Sequence, residues 1–194
     1  MLLVRADSGI EKVSDLRGRA LTHFHNPMAS LASTWVETLL LERGEGRLPD
    51  FFGKLPQSSK LARSILPVFF RQSDACVVTR QGFETASELN PQVGRQLKVL
   101  AASEPLVPAV FCFRGDYHSP LREKLLAEIG KVNTTPAGQQ FMTLFQCDSL
   151  AEQPESSMES AFALLARHQR LREEASRARP VSAALLDKPT RGEK

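Results

Sequence analysis

The chain is poor in the features that would settle its chemistry at once. Its cysteines number only three, Cys76, Cys112 and Cys147, far apart and odd in count. No Cys-x-x-Cys pair or Cys/His cluster supplies a zinc ligand set, so no metal is expected. Cys76 (Asp-Ala-Cys-Val-Val) and Cys112 (Val-Phe-Cys-Phe) lie in apolar runs, where a free thiol behaves as a small hydrophobe, and both are expected to be buried. No apolar run approaches the roughly 18 residues that span a bilayer, so membrane insertion is not expected. The first residues show no charged stretch, apolar core and cleavage site of an export leader, so the chain reads as cytoplasmic if Met1 is the native start. There is no Gly-x-Ser-x-Gly, no phosphate loop and no His-Glu-x-x-His, and an enzyme is not expected.

Charge of one sign is also scarce where it would matter. The net charge is +3, but from Arg167 onward eight basic residues face four acidic ones, which leaves −1 for everything before. A nucleic-acid surface needs its bases on the folded part, and here they are in the tail; no nucleic-acid partner is expected.

What is present is an alternation of strand and helix. Strands are expected at Leu2–Ala6, Arg19–Phe24, Asp74–Thr79, Leu97–Ala102 and Val107–Phe113. Helices are expected over Ala29–Arg43, stopped by Gly44, then from Ser58-Ser59 through Phe69 with Pro67 as a kink, and over Gly82–Leu89. Ser119-Pro120 and Thr135-Pro136 each place a cap before a proline at the first helical position. Ser156-Ser157-Met158-Glu159 has the form of a capping box for a last helix. Gly44–Pro56 reads as loop, and 180–194 as a disordered tail. Such an order predicts an α/β protein with a mostly parallel sheet and C-terminal helices. Its divisions are expected at 1–150 for the domain, 151–179 for the last helix and 180–194 for the tail.

Several stretches, in serial order, resemble one family. Leu3-Val4-Arg5-Ala6-Asp7-Ser8-Gly9-Ile10 resembles the strand that crosses from the first lobe to the second in phosphate/phosphite/phosphonate solute-binding proteins of the type II periplasmic fold. Ser14-Asp15-Leu16-Arg17-Gly18-Arg19 resembles their Asp-Leu-Lys-Gly-Lys turn, and His25-Asn26-Pro27-Met28-Ala29-Ser30 occupies the place of their hydroxyl-rich ligand loop. Asp74-Ala75-Cys76-Val77-Val78, Ser103-Glu104-Pro105 and Thr134-Thr135-Pro136-Ala137-Gly138 resemble later segments. The likeness runs from Met1 to about Leu150. It implies a second lobe with hinge strand and closing helices, lacking most of the first lobe, with exposed edges on Leu2–Ala6 that Val107–Phe113 would join.

The function so implied is capture of a small oxyanion such as phosphate, phosphite or phosphonate, without cofactor or bond chemistry, in the periplasm or otherwise outside the cytoplasm. The partner would be an ABC-transporter permease. The alternative is a ligand-sensing regulatory domain on the same fold with a signalling partner, which the long basic helix after Ser156 suggests. The resemblance places ligand contacts at Asn26, Ser30, Ser33 and Thr34, where helix N–H groups and short hydroxyls meet a tetrahedral anion. Asn26 and Ser30 are equally ordinary helix caps. His25, two residues from His23 on the same strand face, lies beside this loop. Asp74 either faces the cleft or simply ends its strand. Where the family has consecutive hydroxyls ending in glycine, this chain has Met28-Ala29-Ser30-Leu31-Ala32, which leaves one hydroxyl and no glycine.

Overall fold

The computed structural model describes residues 1–107, 110–145 and 150–178. They form two compact units, the first from the described residues of Met1–Ala109 and Met158–Lys194, the second from those of Val110–Ser157.

The first unit is built on a five-stranded sheet of order β3-β2-β4-β1-β5. Its strands are β1 (Leu2–Arg5), β2 (Leu21–Phe24), β3 (Gln57–Ser58), β4 (Ala75–Val77) and β5 (Leu97–Ala101). Strand β2 pairs in parallel with both β3 and β4, whereas β1 pairs antiparallel with β4 and with β5. Four strands therefore share one direction, and β1 alone runs against them. The ladder continues to the first residue, since the Met1 nitrogen donates to the Val78 carbonyl at 2.8 Å and the Val78 N–H donates back to Met1 at 3.1 Å.

Strand β1 is apolar on both faces, as a strand covered on both sides must be. Leu2 and Val4 enter one core with Leu21, Val77 and, from helix α1 (Ala32–Glu42), Val36 and Leu40. Leu3 enters the opposite core with Phe24, Cys76 and, from α3 (Leu61–Phe69), Ile65 and Val68. The short α2 (Leu48–Phe51) carries Phe51 to the first core, and α5 (Pro91–Gln96) carries Val93 to the second, beside Phe83 of α4 (Arg80–Leu89). The result is a sheet with helices on both faces.

Both edges of β1 are occupied, which corrects the expectation of exposed edges. Its outer neighbour is β5 rather than Val107–Phe113. Val107 and residues 110–113 form no strand, and Pro108 and Ala109 lie outside the described residues. The physical reason is that β5 already fills the free side of β1. Without a sheet around it, Cys112 is exposed, against the expectation of burial, while Cys76 is buried and its thiol is pushed up to about 12 by desolvation. Cys147 lies outside the described residues.

Other differences are local. The loop Gly44–Pro56 contains α2, with Pro49 in its first turn. Asn90-Pro91 both closes α4 and opens α5, with Asn90 Oδ1 accepting from the Gln92 N–H at 3.1 Å. Pro67 is held within α3. Ser58 belongs to β3, not to the helix that follows it.

The Ser-Asp-Leu-Arg-Gly turn is held from both sides. Asp15 accepts from the N–H groups of Glu11 and Lys12, at 3.0 and 3.1 Å, and these bonds hold its carboxyl below the usual range. Gly18 has φ +74°, the left-handed conformation that glycine adopts without cost. Its carbonyl faces Gly53, where an added Cβ would fall 2.3 Å from the Gly18 oxygen. Gly53→Ala therefore forces backbone apart, and we expect a loss of about 1–3 kcal/mol in urea unfolding. An unchanged midpoint would show that the turn yields freely.

The second unit holds α6 (Pro120–Ile129), capped by Ser119, and α7 (Pro136–Phe145), with the Thr135 hydroxyl accepting from the Gly138 N–H at 3.1 Å. Both proline-led starts thus occur where their caps predict. The last helix, α8 (Glu159–Ala178), returns to the first unit and packs on α1. The contacts thus group it with residues before 110. The tail from 179 lies outside the described residues. Among the described residues no helix is long and apolar enough to cross a membrane.

Candidate functional site

Parallel pairing brings the C-terminal ends of β2, β3 and β4 to one edge of the sheet. The registers place Phe24 opposite Ser58 and His23 opposite Val77. The His25 N–H donates to the Ser58 carbonyl at 2.8 Å, which fixes the loop after β2 beside the loop after β3. Three chain segments converge: His25–Ser30, Ser58–Lys60 leading into α3, and Thr79-Arg80 leading into α4. In open α/β sheets ligands bind outside the carboxyl ends of the strands.

Asn26 Oδ1 accepts from the Met28 N–H at 2.9 Å and so caps a short 3-10 turn, Pro27–Ala29. Ala29 is buried in the second core, which explains an apolar residue where a hydroxyl loop was expected. Ser30 is exposed, and its N–H donates to the Pro27 carbonyl at 3.2 Å. Helix α1 begins only at Ala32, with no side chain capping it. Ser33 is turned toward His23, with Oγ 3.0 Å from Nε2. Burial, then the neighbouring His25, lowers the His23 pKa, which favours the neutral ring. The two imidazoles stand edge to face with centroids 6.2 Å apart, and His25 is exposed. Thr34 is half-buried, its carbonyl accepting from the Thr38 hydroxyl at 2.7 Å.

Asp74 lies elsewhere. The register Leu21 to Ala75 puts it at the N-terminal end of β4, away from the loop by the length of the strand. There its carboxylate accepts from the Ala20 N–H at 2.9 Å and from Arg19 Nη1 at 3.0 Å. It ties the start of β2 to the start of β4, and the structure does not bring it together with the other site residues.

Ser58, Ser59, Lys60 and Thr79 were not legible as site residues in the sequence, since only the strand order brings them beside His25; Arg80, which follows a strand, could already be read as able to reach an anion. Thr79 Oγ1 accepts from the Gly82 N–H at 3.0 Å and caps α4. Helix α3 has no side-chain cap at Lys60, which leaves the N–H groups of its first turn without a capping side chain there. Lys60 and Arg80 are exposed and form no ion pair among the described residues. No Asp or Glu occurs in 23–34, 57–64 or 78–83. The edge thus presents cations, imidazoles, short hydroxyls and helix N-termini without a carboxylate, the donor set of an anion site. Among the described residues no group of three His, Cys, Asp or Glu could hold a metal ion.

A single strand antiparallel to an otherwise parallel sheet, helices on both faces and an anion-favouring C-terminal edge define an α/β lobe of the type II periplasmic binding class. Four-fifths of the chain, residues 1–156, matches the family model for the ABC transporter, phosphonate, periplasmic substrate-binding protein. The chain belongs to that family. No curated protein matches it in sequence. Among solved structures it is similar to a Xanthomonas citri protein bound to ATP, with 17% identity and a TM-score of 0.65 over 89% of this chain and 66% of that one. It is also similar to a binding protein component of an ABC phosphonate transporter from Pseudomonas aeruginosa (17%, 0.62, 93% and 61%). A Prochlorococcus marinus protein in complex with methylphosphonate is a third (14%, 0.58, 87% and 66%). The chain spans about two thirds of the length of these structures.

Proposed function

We propose that the chain supplies one lobe of a solute-binding protein that captures a small phosphorus oxyanion (phosphate, phosphite or phosphonate) outside the cytoplasmic membrane and passes it to an ABC-transporter permease. The carboxylate-free edge formed by His25–Ser30, Ser58–Lys60 and Thr79-Arg80 carries this reading. The ligands of two similar structures, ATP and methylphosphonate, share a tetrahedral phosphorus with anionic oxygens. Asn26, Ser30, Ser33, Thr34 and His25 contribute the loop side of the site, with Lys60 and Arg80 supplying the charge. No bond is made or broken; the ligand is held by charge-assisted hydrogen bonds, each typically worth about 1.5–3 kcal/mol. Helix α8, the feature that suggested a signalling role, is packed on α1, and we do not carry that alternative further.

Calorimetric titration of the protein with phosphate, phosphite, methylphosphonate and ATP tests the proposal. We expect saturable binding of at least one of them, weakened by salt because the site is cationic and open. If all four give only heats of dilution and leave the melting temperature unchanged, the reading fails.

A further inference from the structure

Away from the ligand edge, the contact between α1 and α8 contains a histidine where the pattern calls for an aliphatic side chain. On α8 the inward stripe runs Ala161, Leu164, His168, Leu171, Ala175, at alternating spacings of three and four. Ala161 and Leu164 are almost completely buried, and Leu171 and Ala175 are half-buried. That spacing is the seam of two packed helices. The His168 side chain is 16% exposed, and its Nε2 atom is buried with no hydrogen-bond partner.

The charges around this nitrogen are unevenly matched. Glu37 of α1, 14% exposed, has Oε2 3.9 Å from His168 Nε2, beyond hydrogen-bond reach. The other oxygen of Glu37, Oε1, already meets two guanidinium groups: Arg47, ahead of α2, at 3.2 Å, and Arg172, one turn along α8, at 3.7 Å. With the imidazole neutral, one carboxylate faces two cations. Protonation would add a third cation to the same, largely covered carboxylate. The remaining charges nearby are matched among themselves: Arg167 with Glu42 at 3.3 Å, and Glu173 with Arg177 at 3.9 Å.

We infer that His168 makes the docking of α8 on α1 depend on pH: neutral, it fills the seam, and protonated, it loosens the helix. Burial acts first to lower its pKa; the Glu37 carboxylate opposes this, and the Arg172 and Arg47 charges lower it further, so the net direction is down. The sign follows from that direction. A histidine whose folded pKa lies below its ordinary 6.5 gives stability that is complete above 6.5 and lost as pH falls through the folded pKa. Nothing in this device depends on the ligand site, so it stands or falls separately from the function proposed above.

Hydrogen–deuterium exchange of the whole protein, corrected for intrinsic rates, tests it between pH 7.5 and pH 5. Protection of 159–178 is expected to fall severalfold on acidification, while β1 and β4 keep theirs. His168→Gln, which cannot gain a proton, is expected to make α8 protection independent of pH. NMR titration of the imidazole in the unmodified protein should give a pKa below 6.5. A pKa at or above 6.5, α8 protection that ignores pH, or a His168→Gln protein with the original pH response would each overturn the inference.

Discussion

Leu3→Ala should cost about 2–5 kcal/mol of stability, enough to leave a domain of ordinary stability partly unfolded at room temperature. Leu3 is wholly buried on β1, between Cys76 of β4 and Val99 of β5, and packs into the core that Ile65 and Val68 close from α3. Alanine keeps the ladder hydrogen bonds, so the loss comes from apolar contact and the cavity left behind. Urea unfolding should show a lower midpoint with an unchanged slope. Leu89→Ala is the matched control: at 83% exposed on α4, it should move stability by no more than about 0.5 kcal/mol. A Leu3→Ala loss below 1 kcal/mol would mean that the second core is loosely packed.

The double charge reversal Lys60→Glu, Arg80→Glu should abolish measurable oxyanion binding, with a loss of about two orders of magnitude or more in affinity. Both side chains are exposed at helix starts on the proposed anion edge, and neither holds an ion pair among the described residues. Their reversal therefore leaves no partner stranded in the fold, and the melting temperature without ligand should barely move. Asp74→Asn should do the opposite. It weakens the ties to Arg19 and the Ala20 N–H, so stability falls while affinity is retained. If titration shows the double variant binding as tightly as the parent, the anion does not sit at this edge.

Much of the fold was legible. The stop at Gly44, the proline-led helices at Ser119 and Thr135 and the turn ending in Gly18 all rest on interactions within a few residues. Each of them formed where expected. The failures came where a segment's state depends on distant chain. Val107–Phe113 is as apolar as any strand in the protein, but a strand forms only if an edge is open to it, and β5 had taken the one beside β1. The fate of Cys112 followed from that vacancy being filled.

The candidate site divides in the same way. The loop His25–Ser30 stood out because caps and hydroxyls before a helix are a local signal. Lys60 did not, because it is separated from it by 30 residues and meets it only through the pairing of β3 with β2. Between the two readings of Asp74, facing the cleft or ending its strand, the sequence could not choose, for a related reason. A residue next to a strand sits at one end or the other of the sheet according to the strand's direction, which pairing alone decides. The sequence by itself determined the α/β class, the family and the local turns and caps, since these are set by short-range backbone preferences and by residue order. Only the tertiary structure decided which strand covers β1, which side chains share the C-terminal edge of β2, β3 and β4 and that α8 folds back on α1 with a histidine in its seam. Those outcomes depend on competition among distant segments for the same hydrogen-bonding edges and apolar faces.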